Sequence, residues 1–113
     1  MAIQIDNLKV LQEYLKGVFD RANHHAQDVE GVSLALIGAI LWKSDTSKID
    51  VREYKGSPAN MIWFEVNSNR YVLNYNHTTY KIDLKRRTSK GDLIESFDNK
   101  STYQEIMKIF KDL

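Results

Sequence analysis

The stretch from Met61 to Leu84 constrains the fold more than any other, because three runs in it alternate apolar and polar residues in register with one another. Ile62, Phe64 and Val66 alternate with Trp63 and Glu65, and Tyr71, Leu73 and Tyr75 follow, then Tyr80, Ile82 and Leu84. A period of two puts successive side chains on opposite faces of a strand. A two-residue turn at Ser68 and Asn69 places Val66 opposite Tyr71, Phe64 opposite Leu73 and Ile62 opposite Tyr75. A second turn at His77 and Thr78 places Tyr75 opposite Tyr80, Leu73 opposite Ile82 and Tyr71 opposite Leu84. Both hairpins put their apolar members on one face, and a one-residue slip in either would send half of them to the other side. A three-stranded antiparallel meander is expected.

The flanking segments extend this picture. Leu8, Leu11, Leu15, Val18, Ala22, His25 and Val29 recur at steps of three and four, which predicts an amphipathic helix over 7–30, entered at Asp6 and closed by Gly31 as a left-handed C-cap. Residues 32–43 are apolar on every side. A strand over at least Ile37–Lys43 is favoured because the turn-like Ser44-Asp45-Thr46-Ser47 follows, although a buried helix would read alike. Ile49–Tyr54 alternates and reads as a strand, and Gly56-Ser57-Pro58 reads as a break. Thr88–Gly91 reads as a turn, and Asp92–Phe97 as the last strand. Ser101 or Thr102 caps a terminal helix that carries Tyr103, Ile106, Ile109, Phe110 and Leu113. The fold class is α+β: an antiparallel meander of five or six strands with a long N-terminal helix and a short C-terminal helix on one face. One domain over 1–113 is expected.

Composition narrows the function classes. Sixteen basic residues face fifteen acidic ones, so no net field attracts nucleic acid or an anionic membrane. The chain contains no cysteine, which removes disulfides, thiolate metal sites and a cysteine nucleophile. The N-terminus has neither a basic flank nor an apolar segment of the signal-peptide kind, and a cytoplasmic location is expected.

The same registers place Trp63 in a row with Asn74 and Lys81, Glu65 with Val72 and Asp83, and Asn67 with Arg70 and Lys85 on the face away from the core. Met61 extends this face, and Trp42 is expected to join it from the first strand. Trp63, Met61, Val72 and Trp42 thus form an aromatic anchor among polar groups, the composition of an interface. A homodimer contact is favoured over cover within the chain and over a ligand surface.

Residues that could carry chemistry form no complete constellation. Asp20, His24 and Asp28 share one side of the first helix, but i to i+8 spans ~12 Å and a metal needs ligands from a second element. No metal site and no cofactor are expected. Glu65 and Asp83 would stand ~10 Å apart across Val72, within reach of an inverting glycosidase pair, on a sheet too open to hold a sugar. Lys85-Arg86-Arg87 with Lys90 is the one basic run. Because the register assigns the tyrosines to the core face, neither a base-stacking platform nor nucleic-acid binding is expected. The alternative function is a small-molecule binder or enzyme with a pocket between the first helix and the sheet, lined by Tyr71, Tyr75, Tyr80 and His25.

The run Ala22-Asn23-His24-His25-Ala26-Gln27-Asp28-Val29, then Gly38-Ala39-Ile40-Leu41-Trp42, then Met61 to His77, resembles small uncharacterised bacterial proteins of the kind carried in integron gene cassettes. The resemblance spans most of the chain, and its motifs have no assigned chemistry, so no functional residue follows from it. It implies a bacterial, cytosolic accessory protein. The leading expectation is a non-enzymatic binding or interaction module that forms a homodimer.

Overall fold

An apolar run with no contrast between its sides can bury itself as a strand or as a helix, and here it is a helix. The computed structural model describes residues 12, 29–54 and 57–113, and in it Glu30–Lys43 forms α1. The strand expected over Ile37–Lys43 is therefore corrected. Val32, Leu36, Ile37 and Ile40 recur at helical spacing and are buried. Leu34, Leu41 and Trp42 point outward and are equally apolar, which removes the polar stripe that usually betrays a helix.

The start of α1 differs from the expected one for a related reason. Gly31 lies in its first turn and not at the end of a preceding helix. Val29 at the N-cap offers no side-chain acceptor. Instead Asn99 Oδ1, from the loop after the sheet, accepts the Val32 N–H at 2.9 Å, meeting one of the donors a helix start leaves orphaned. A Cβ on Gly31 would come within 3.2 Å of that oxygen, so the glycine makes room for the cap. At the other end Ser44 donates its backbone N–H to Ile40 O at 2.8 Å and its hydroxyl to the same oxygen at 2.6 Å. Of the helix expected over 7–30, Gln12 is helical and Val29 and Glu30 belong to the start of α1. The rest, with Asp20, His24, His25 and Asp28, lies outside the described residues.

A short 3-10 turn, Thr46–Lys48, follows. Asp45 Oδ1 accepts the Ser47 hydroxyl at 2.7 Å and the Ser47 N–H at 3.1 Å. These bonds, with the nearby Lys48 charge, hold the Asp45 carboxyl below its ordinary range. The chain then makes five strands, β1 (Asp50–Tyr54), β2 (Ser57–Val66), β3 (Asn69–Asn76), β4 (Lys81–Arg86) and β5 (Leu93–Phe97). They pair antiparallel in chain order, as a meander. The break expected at Ser57-Pro58 is corrected, since both belong to β2 and pair with Tyr54 and Glu53 of β1. Pairing of β2 with β3 begins only at Met61, so Pro58 withholds its missing N–H from no ladder with β3.

Both hairpins pair two residues away from the expected register. The first turns at Asn67 and Ser68, pairing Phe64 with Tyr71 and Ile62 with Leu73. Both turn residues have positive φ, 52° and 68°, as a two-residue hairpin of matching twist requires. The second uses four residues, 77–80, pairing Leu73 with Leu84 and Tyr75 with Ile82. Asn76 Oδ1 accepts the Thr78 and Thr79 N–H groups there at 2.9 and 3.2 Å, which makes the longer turn favourable. A shift of two keeps every side chain on its expected face. Tyr80 is the exception, because the turn takes it out of the strand.

α2 spans Tyr103–Lys111. Thr102 Oγ1 accepts the Glu105 N–H at 3.2 Å and donates to Glu105 Oε1 at 3.1 Å, a reciprocal cap. Val32, Leu36 and Ile40 of α1, Ile62, Phe64, Leu73, Ile82 and Leu84 of the sheet, and Ile106 and Phe110 of α2 form one buried cluster. Phe64 stacks on Phe110 with centroids 5.7 Å apart. The architecture is α+β, with both described helices on one face of a five-stranded meander. Among the described residues no helix is long and apolar enough to cross a membrane.

Candidate functional site

Strand alternation places Trp63, Val72 and Lys85 in one cross-strand row on the face away from the helices, and Met61, Asn74 and Asp83 in the next. The expected rows are thus reassorted by the register shift while their membership of the face stands. Val72 and Met61 are buried, so two of the four expected contact residues offer no free surface. Trp63 is half-buried. Its indole N–H donates to Arg87 O at 3.2 Å and the Arg70 guanidinium lies 5.7 Å from its ring centroid, so its polar edge and one ring face have partners within the chain.

Asp83 gathers most of the polar groups of this face around it, while Asn74 Oδ1, in the same row, is buried without a hydrogen-bond partner. Asp83 is 4% exposed, and its Oδ1 accepts the Ser96 hydroxyl at 2.7 Å. Its Oδ2 accepts Asn76 Nδ2 at 3.1 Å and stands 3.8 Å from Lys85 Nζ. Lys85 Nζ in turn donates to Ser89 O at 2.9 Å. This is a satisfied buried network of the kind that fixes a fold. Glu65 pairs across from Arg70, two rows away from Asp83. With two strand spacings across and four residues along, their Cα positions are ~16 Å apart, beyond a glycosidase pair.

Trp42 is not on a strand. It projects from α1 into an apolar groove of about 450 Å³, between Ala35, Gly38 and Ala39 of α1 and Tyr103, Ile106 and Met107 of α2. Leu34 is 56% exposed, Trp42 48% and Leu41 42%. Tyr103 and Met107 continue the surface across α2 and are also exposed. The only nearby charge on α1 is Lys43, whose Nζ lies 5.5 Å from the Trp42 ring centroid. Leu34, Gly38, Leu41, Tyr103 and Met107 escaped the sequence reading of this surface. The signal was present in residues 32–42, where a helical wheel has no polar side.

Tyr71, Tyr75 and Tyr80 lie outside the groove between the helices. Tyr71 and Tyr75 are buried in the core, Tyr71 with its ring centroid 5.8 Å from that of Phe64. Tyr80 stands in the turn at φ 60° and is 54% exposed, which corrects its expected place beside Tyr75 on the core face. His77 is exposed at the same turn and packs edge-on against Tyr75, centroids 4.9 Å apart. Among the described residues no group of three or more histidines or carboxylates stands close enough to hold a metal.

A comparison with curated proteins finds no match. Residues 11–107 match the model of the family described as Integron cassette protein VCH_CASS1 chain, a span that takes in α1, the whole sheet and the first half of α2. On that match the chain belongs to the integron cassette protein VCH_CASS1 family.

Proposed function

We propose that the chain is a small binding and interaction module that works as a homodimer, its two copies meeting through the outer side of α1 and the adjoining side of α2. One observation carries this reading: from Gly31 to Trp42 the helix has no charged residue, and its outer side exposes Leu34, Leu41 and Trp42. A helix apolar around its whole circumference belongs in a setting covered on both sides, and the sheet covers only one. Ala35 and Gly38 lie exposed in the middle of the strip, and small residues there let a second helix approach closely. Trp42, Tyr103 and Met107 around them are residue types that enrich the centres of protein contacts. A two-fold axis buries the same strip twice with one surface, which favours a dimer over a ring. Trp63, partnered by Arg70 and Arg87, stays outside this contact.

Cross-linking at the centre of the strip tests the reading. The chain has no cysteine, and a Cβ at Gly38 meets nothing within 4 Å. Gly38→Cys should give a disulfide-linked dimer under mild oxidation at micromolar protein. Glu95→Cys, on the exposed surface of the edge strand β5, should not. Equal rates for the two variants would remove α1 from the contact and assign its outer side to cover within the chain.

A further inference from the structure

We propose, resting on the dimer reading above, that the two copies cross antiparallel at Gly38 and that each seats its Trp42 in the other's groove between α1 and α2. From Gly31 to Trp42 the exposed residues are Gly31, Leu34, Ala35, Gly38, Leu41 and Trp42. Their spacing repeats after seven residues, as in a helix seam that faces another helix. The last five are also placed symmetrically about Gly38. Leu34 and Trp42 lie four residues to either side of it, and Ala35 and Leu41 three. A two-fold axis lying across α1 at Gly38 therefore sets each Trp42 over the partner's Leu34 and the partner's Ala35. The same axis sets Leu41 over the partner's Ala35 and brings the two α2 helices to the same side of the crossing.

Size complementarity selects this crossing. Facing surfaces pack densely when large residues meet small ones. The antiparallel arrangement lays the bulky end of each strip, Leu41 and Trp42, on the partner's Ala35, beside the groove. A parallel arrangement would set Trp42 against Trp42 and Gly38 against Gly38, crowding one level and leaving a void at the other. It would also bring Lys43 against Lys43, and like charges so placed repel. The groove itself holds about 450 Å³, with Ala35 and Gly38 on one wall and Tyr103 and Met107 on the other. A Cβ at Gly38 would meet nothing within 4 Å, so this wall is open to an incoming ring. Trp42 leaves 48% of its surface uncovered, and an indole is among the largest apolar areas a contact can bury. The exposed parts of Leu34, Leu41, Trp42, Tyr103 and Met107 come to roughly 600 Å² per copy, about 1,200 Å² for the pair, which reaches the range of specific interfaces. The symmetry of the strip about Gly38 makes it complementary to itself, so the occupant is a second copy of this chain.

Mixed disulfides test the crossing. Ala35→Cys and Leu41→Cys, purified separately, each replace an exposed residue in a chain without cysteine. Mixed and mildly oxidised at micromolar protein, they should give the heterodimer linked through positions 35 and 41 about tenfold over either homodimer. The crossing sets position 35 of one copy against position 41 of the other, and it separates like positions by ~9 Å along the helix axis, too far for a disulfide. Homodimers linked in excess of the heterodimer would overturn the crossing and leave the dimer standing. Trp42 supplies the second measurement. In a Trp63→Phe background its emission should shift to the blue, and its quenching by iodide fall severalfold, over the same concentrations at which sedimentation shows the dimer forming. A dimer whose Trp42 is quenched as readily as that of the monomer overturns the seating in the groove. Sedimentation that shows a monomer at every concentration removes the dimer reading first, and this proposal with it.

Discussion

Ser68 occupies left-handed backbone space at φ 68°, beside Asn67 at 52°. Asparagine tolerates that region because its short amide bonds locally, whereas serine gains less. Ser68→Gly should relieve about 1–2 kcal/mol of steric cost and give back about 0.4–1 kcal/mol in unfolded-state entropy, for a net stabilisation of about 0.5–1 kcal/mol. Urea denaturation should show the midpoint rising with an unchanged slope. A lower midpoint would mean that the turn does not need two positive φ angles. The same residues explain why the turn was placed one position late from sequence. Asn67-Ser68-Asn69 offers asparagine at either end, and the alternation on both sides is satisfied equally by pairings two residues apart. Tyr80 was misplaced for a different reason. Its aromatic character fits a strand, and only the acceptors supplied by Asn76 reveal that the chain is still turning there.

Among the elements, the faces of β2, β3 and β4 were legible because burial on one side forces a strict period of two. β5 and α2 were legible from the turn over Thr88–Gly91 and from the cap at Ser101 or Thr102. α1 was not. Its apolar outer side erased the helical period, and its cap comes from Asn99, 67 positions away from Val32 in the chain. No local signature could mark such a start. Asn99→Ala should therefore cost about 1 kcal/mol, the usual worth of a helix cap, although Asn99 is exposed and far from α1 in sequence. Hydrogen exchange should speed up at the first turn of α1, Val32 above all, before it does in the sheet. Unchanged protection of Val32 would show that the helix start is held by packing alone. The elements also show why the expected interface shifted. Met61 and Val72 are buried and Trp63 is braced by Arg70 and Arg87, so the exposed apolar area lies on the helical side, where sequence alternation gives no warning.

The molecule as a whole carries two unlike surfaces, one on its helices and one at an end of the sheet. The outer side of α1, with Tyr103 and Met107 of α2, exposes leucine, tryptophan, tyrosine and methionine, while the charges of α2 stand at Glu105, Lys108 and Lys111, and three arginines line a cleft at one end of the sheet. The first has the composition of a protein contact. The candidate site was legible only as a kind of feature, an aromatic anchor, and Trp42 is the one expected member that lies on the exposed strip. The missing polar side of α1 is thus both the reason the helix was hidden and the reason a partner is proposed. Leu41 is exposed on that strip and has no role in the core cluster, so Leu41→Glu should leave the fold intact while placing a charge where the second copy packs. Sedimentation velocity across the micromolar range measures the outcome directly. The account predicts a dimer for the unmodified chain and a folded monomer for Leu41→Glu. A monomer at every concentration for the unmodified chain, with Trp42 fluorescence unquenched by added iodide, would contradict it.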